Sequence, residues 1–288
     1  MYTPRILTII LILCFFATPV CAEEEAKNTL SLKTSYIGEG DVEDDQGGFS
    51  VFKAGVEGQY SFLSAGYELS RYSWKDEDNL PFANGDTPWE NLHSLWLGAD
   101  YGDHISGNWS YFVHGGVSSA FEKEMSDSFG AVLLGGIAYD LGDGWEVQAG
   151  VGGHTHKIKS GLLPVLNVNW HGESDEGLKR FVELRFLGVE AGYEFTKSLM
   201  LRAAVDSSGD TYRLADDSDV REKGYADISD MNAGLYLDWQ PIGDLMFTFG
   251  AEYRFDRSIT IYDDNGDKLE KYDVDSAPAA TVSVNWLF

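Results

Sequence analysis

The chain has 288 residues, with 21 Lys and Arg against 47 Asp and Glu, a formal charge of −26, and only two cysteines. So acidic a chain argues against nucleic acid and anionic membrane surfaces as partners. It leaves divalent cations and polar solutes approached through acidic loops. Both cysteines, Cys14 and Cys21, lie within the first 22 residues, so the rest of the chain has no disulfide, zinc–thiolate site or cysteine nucleophile.

The first 22 residues read as a cleavable signal peptide. Arg5 is the basic region, residues 6–17 are an apolar run, and Val20 and Ala22 are the small residues of a cleavage site. Thr18-Pro19-Val20 is a poor lipobox for Cys21. Removing this leader takes away Arg5 and no acidic residue, so 20 basic residues face 47 acidic ones, a formal charge of −27. No later apolar run reaches the 18 or so residues of a spanning helix. Residues 23–288 are therefore expected to form one domain, built of strands.

Period-2 alternation runs through that domain. Leu245, Phe247, Phe249, Ala251, Tyr253 and Phe255 alternate with polar or small residues, as do Trp145, Val147, Ala149 and Val151. The pattern predicts strands over 29–37, 49–60, 62–73, 91–101, 108–119, 128–140, 145–155, 163–170, 180–186, 189–195, 199–214, 228–240, 245–261 and 277–288. The odd connections are long and acidic, as in 38–48, 74–90 and 262–276; the even ones are mostly short, as at Ser61, 141–144 and 241–244. Long outer loops, short periplasmic turns and an even strand count describe an antiparallel up-and-down transmembrane β-barrel. Fourteen strands fit. Twelve also fit if 180–195 is not a spanning hairpin. A soluble sandwich would not sort its loops by length in this way.

Aromatics near strand ends suit an interfacial girdle: Tyr60, Trp74, Tyr101, Trp109, Tyr139, Trp145, Trp170, Phe195, Trp239, Trp286 and Phe288. The last strand alternates through Val282, Val284 and Trp286 to Phe288. That ending looks like the signal read by the barrel-assembly machinery, which makes this machinery an expected partner.

Leu162-Leu163-Pro164-Val165-Leu166-Asn167-Val168-Asn169-Trp170, the stretch 210–214 and the aromatic C-terminus give the chain a resemblance to an uncharacterised family of Gram-negative outer-membrane β-barrel proteins, a domain of unknown function. The resemblance implies a fold and an outer-membrane location. It implies no activity.

Charges cost about 2–4 kcal/mol on the lipid face at the midplane for Lys or Arg, so the strand charges are expected to face the lumen. The candidate lumen residues are Glu57, Glu68, Asp100, His114 and Glu146, with Glu183, Arg185, Arg202, Glu252 and Arg254. The same alternation turns Lys33, Lys53, Asp238 and Asp256 inward. Two readings of this face stand side by side: a water-filled, cation-favouring path, and a lumen filled by salt-bridged side chains. The width of a 12- to 14-stranded barrel, against the eight strands that side chains fill, favours the path.

Other motifs carry less. His154 and His156 share a strand face without a third ligand beside them. Residues 263–267 resemble a calcium loop in composition only, with Gly266 at position 4 rather than 6. Neither predicts a metal or cofactor site, though loosely held divalent cations beside lipopolysaccharide suit the loops. His114 and Ser118 share a face but lie roughly 13 Å apart along a strand, and no catalytic motif accompanies them. The leading expectation is a passive porin-like channel for small polar solutes or cations, embedded in outer-membrane lipid. The alternative is a closed barrel acting through its acidic loops, and the third reading is a rim hydrolase. A transporter of hydrophobic substrates is disfavoured, because about six residues precede the first strand and offer no plug.

Overall fold

The fold is taken from a computed structural model, which describes residues 28–288 except 44 and 84. The expected signal peptide lies outside the described residues. Among these, fifteen strands form: β1 Thr29–Asp41, β2 Gly48–Tyr60, β3 Leu63–Lys75, β4 Asn91–Ser106, β5 Trp109–Phe121, β6 Phe129–Gly142, β7 Trp145–His156, β8 Ser160–Glu173, β9 Lys179–Arg185, β10 Gly188–Thr196, β11 Leu199–Arg213, β12 Tyr225–Ile242, β13 Leu245–Tyr262, β14 Lys268–Val274 and β15 Ala277–Leu287. Successive strands pair from β1 to β13, β13 pairs with β15, and β15 pairs with β1. The result is a closed antiparallel barrel of fourteen strands. The twelve-stranded alternative fails, because β9 and β10 pair from Arg185↔Gly188 to Arg180↔Tyr193 as members of the ring.

Closure satisfies the backbone where no water can, and the side chains sort accordingly. Leu32, Leu97, Leu133, Val151, Leu166 and Leu235 stand exposed on the outside, as an apolar band requires. Tyr60, Trp109, Trp145, Trp239, Trp286 and Phe288 are exposed at the periplasmic end of their strands. The periplasmic hairpins are tight. Asp143 and Gly144 both take positive φ, 53° and 81°, between β6 and β7, the left-handed pair that matches strand twist in a two-residue turn.

Three features depart from simple alternation. First, Trp74 is not a girdle residue. It lies on the inward face, its Nε1 donating to the Trp89 carbonyl at 2.5 Å and its ring 4.9 Å from that of Phe49. Second, the alternation in β13 breaks at Asp256, which takes φ 50° in a bulge opposite Ser229–Met231. The bulge reverses the parity beyond it. Asp256 is thus not a lumen residue, and Ile259 and Ile261 turn inward and are buried. Third, the segment read as a loop, 262–276, contains β14, which pairs with the outer half of β13.

Beyond Ser207, Asp256 and Asp275, the outer parts of β11, β12, β13 and β14 make a four-stranded flap. It crosses the mouth of the barrel. Arg213 at its edge bridges to Phe121 of β5, six strands away around the ring. The wall beside the flap is low. β9 has seven residues and pairs with β8 only from Val168 to Glu173, and β10 pairs with β11 only as far as Asp206.

Candidate functional site: the lumen and its mouth

The expected lumen residues lie on the face opposite the exposed apolar side chains, and most are joined into networks. Lys53 Nζ meets Glu68 Oε1 at 2.9 Å. His114 Nδ1 and Asp100 Oδ1 are 2.7 Å apart at mid-height. Gln148 donates to Glu146 at 2.8 Å and accepts from Asn167 at 2.9 Å. Arg254 donates to Glu252 at 2.7 Å and to Asp230 at 3.1 Å.

The longest network is a belt over six strands, β8 to β13. His171 lies 3.4 Å from Glu183, Glu183 lies 3.2 Å from Arg185, and Arg185 donates to Glu190 at 2.7 Å. Arg202 bridges Glu190 and Asp238, each at 2.5 Å, and Thr248 donates to Asp238 at 2.7 Å. Such pairs hold position more than they add net stability, because desolvation offsets much of their attraction. Lys33 and Glu57 differ: both stand exposed in the periplasmic half.

The extracellular half obeys other rules. The flap's inner face supplies Tyr212, Leu214, Ala226, Ile259, Ile261, Tyr272 and Val274. These pack with Ile37, Phe49, Val51 and Tyr72 of β1–β3, with Val42 of the β1–β2 loop, and with Leu80, Phe82, Ala83 and Trp89 from the β3–β4 loop, in one buried cluster. Trp89 is sandwiched among Trp74, Phe82 and Tyr72, with ring centroids 5.2–6.0 Å away.

The flap's other face meets the opposite rim through polar contacts. Arg213, 3% exposed, pairs with Glu124 at 3.3 Å and with Asp216. Glu122 accepts from the Ala215 N–H at 2.8 Å. Burial raises the Glu122 carboxyl above its usual range. Lys159 meets Asp227 at 2.5 Å, Lys123 meets Asp217 at 2.8 Å, and Tyr225 donates to the Asp127 carbonyl at 2.9 Å. A hairpin bonded by one face to β1–β3 and by the other to the β5–β8 rim closes the mouth.

Sequence reasoning missed the flap and its anchors. The one local sign was the bulge, at Asp256. Residues 263–267 form a turn in which Asp263 accepts from the Asn265 and Asp267 N–H groups at 3.0 and 2.8 Å. His154 and His156 face inward under the flap, and His156 lies edge-on to Tyr225 at 5.8 Å. Among the described residues no group of three or more His, Cys, Asp or Glu is placed to hold a metal ion.

No family model matches the chain. No curated protein matches it either. The resemblance to the uncharacterised barrel family therefore stays at the level of architecture. Among solved structures, the chain is similar to an outer-membrane channel from Pseudomonas putida, with 7% identity and a TM-score of 0.45 over 91% of this chain and 96% of that one. It is similar to the NanC porin, with 10% identity and a TM-score of 0.39 over 89% and 98%. It is also similar to the KdgM porin, solved with disordered oligogalacturonate, with 7% identity and a TM-score of 0.36 over 90% and 99%. These are likenesses between barrels, and no mechanism is taken from them.

Proposed function

We propose that the protein is an outer-membrane conduit for small polar solutes, with cations favoured, that rests with its extracellular mouth shut. The observation that carries this reading is the division of the lumen. Exposed charge lines the periplasmic half, and a flap held by side-chain contacts, rather than by the barrel wall, shuts the outer half. Acidic groups outnumber basic ones along the lumen, which favours cations once water fills it. The chain would reach the outer membrane through its leader and its aromatic last strand. Its acidic loops would meet lipopolysaccharide through divalent cations. His114 faces inward at mid-height, away from the rim, which disfavours a rim hydrolase.

The test is single-channel recording in a planar bilayer. Intact protein is expected to open rarely. Arg213→Ala removes a flap anchor and is expected to open often, with cations preferred over anions. If both run as folded, heat-modifiable barrels and neither conducts, the conduit reading is lost. The second reading, a non-conducting barrel that acts through its acidic loops, then stands; the belt from His171 to Thr248 is the observation in its favour.

A further inference from the structure

We propose that the low wall at β9 and β10 is a lateral portal, through which an aromatic or short aliphatic molecule dissolved in the outer leaflet reaches an apolar strip on the lumen face of β6–β8. The inference does not depend on ion conduction.

The first observation is in the register. Ser160 to Asn167 of β8 pair with β7 on one side, and no β9 residue stands opposite them on the other. On the far side, β11 beyond Ser207 has no β10 residue opposite it. The gap is floored by the turn between β9 and β10, where the Ser207 N–H donates to the Leu187 carbonyl at 3.1 Å. Pro164 lies within the free stretch of β8; proline has no N–H to give, and among strands it is tolerated at edges.

The second observation is depth. Trp170 marks the periplasmic girdle on β8, and Leu162 stands eight residues further out. At about 3.3 Å per residue on a strand tilted by about 40°, that is roughly 20 Å, still inside an apolar band of about 25 Å. Leu162 is 78% exposed on the outer face, and Leu166 and Phe186 are exposed there too. Open sheet edges do not face hydrocarbon in spanning proteins unless they line a cavity or a protein contact. A gap at this depth is therefore a built feature.

The third observation is the inner face behind the gap. Leu163 and Val165 point inward, opposite Gly152 and Gly150. Beside them lie Val132 and Leu134 of β6. The glycines let β6 and β7 approach closely here, since a Cβ at Gly152 would fall 2.4 Å from that of Leu134, and Leu134, Leu163 and Val165 are half-buried rather than sealed. Elsewhere the inward face is largely polar or is locked into the flap core, with Trp96 and Phe112 as apolar exceptions. Above the strip, Tyr225 and Asp227 of the flap rest on His156 and Lys159. Below it, Asn167 and Gln148 form a polar floor. A roofed apolar strip that opens sideways into lipid suits a ligand with an apolar body and at most one polar group. It does not suit a sugar or an inorganic ion. The rival occupant, a strand of a second copy added to the β8 edge, would leave the strip unused.

The test uses the absence of cysteine after the leader. Val165→Cys is labelled with a small fluorophore and reconstituted into liposomes. Quenching by lipids with a nitroxide on the acyl chain is compared with quenching by iodide. Leu163→Cys repeats the reading if the first variant does not fold, and Ser283→Cys is the inward-facing control on β15. The proposal expects the Val165 label to be quenched by nitroxide lipid several-fold more than the Ser283 label. It also expects N-phenyl-1-naphthylamine to relieve that quenching, with relief lost in Leu163→Glu carrying the same label. Equal quenching at Val165 and Ser283 overturns the portal. So does a label shielded from both quenchers in a cross-linkable dimer, which would assign the edge to a second copy.

Discussion

The two halves of this barrel follow opposite rules for which side chains face inward. In the periplasmic half the inside is polar and the outside apolar, as lipid demands: Lys33 and Glu57 face inward while Leu32 and Val56 face out. In the extracellular half the interior is built mainly of apolar side chains, from Phe49 and Trp89 to Ile259, with Arg257 buried against the Phe49 ring and most other charge at the rim. One chain therefore contains a membrane barrel and, seated in its mouth, a small water-style core. The comparison teaches that charge lining a barrel does not by itself make a pore; what fills the mouth decides.

The strongest way to break the contrast is to hollow out the outer core. Trp89→Ala removes a buried ring from the aromatic cluster and is expected to cost about 3–5 kcal/mol of local stability. The ring of fourteen strands should survive, with unchanged heat-modifiable migration. Trypsin should then cut much faster after Arg221 and Lys223, which lie at the tip of the flap. Unchanged cleavage would mean the core does not hold the flap.

Next comes the polar interior. Glu252→Gln takes one carboxylate from Arg254, which keeps Asp230 at 3.1 Å. The expected cost is about 2–3 kcal/mol, read from chemical unfolding in detergent. A neutral result would mean that desolvation already cancels the pair. A smaller effect should follow from Glu57→Gln. Glu57 is exposed, and Lys33 is the charge that acts on it. Its loss should leave stability unchanged and modestly lower the cation preference of channels opened by Arg213→Ala.

The smallest effect concerns pH. The Lys123 hydrogen bond, aided by its charge, holds the Asp217 carboxyl below its usual range. A carboxyl depressed in the seated flap contributes to seating above its ordinary value and loses that contribution as pH falls through the lowered one. Asp217→Asn should therefore flatten the acid limb of the opening probability slightly, in recordings below pH 4. Both partners are exposed, so a large change would point to a different role.

The wall was legible in the sequence and the mouth was not, for a physical reason. A strand in lipid must alternate, so all fourteen predicted segments fall on strands of the ring. The flap depends on contacts such as Arg213 to Glu124 and Tyr225 to Asp127, which leave no periodicity. It depends also on one bulge residue, Asp256, that reverses the pattern without interrupting its residue types. Trp74 was misplaced for the same reason: a strand-end aromatic suits a girdle and a plug equally well. Among the candidate lumen residues, the positions came from the alternation, but the belt that binds Glu183, Arg185 and Arg202 into one network requires the strand register. The run Leu162–Leu166 carried an unused signal. It is apolar on both faces, where its neighbours alternate, and it lies within the stretch of β8, Ser160–Asn167, that pairs with β7 on one side and has no β9 residue on the other.

The bridge between Phe121 and Arg213 bears on the order of assembly. The hydrogen bonds beside it join residues as far as 98 positions apart, across the ring rather than around it. Contacts that close so long a loop form late, since their entropy cost is met only when the frame already holds the two sides together. Here the frame is complete once β15 pairs with β1. The newborn barrel is therefore expected to pass through an uncapped stage, a brief window between insertion and the docking of its own lid.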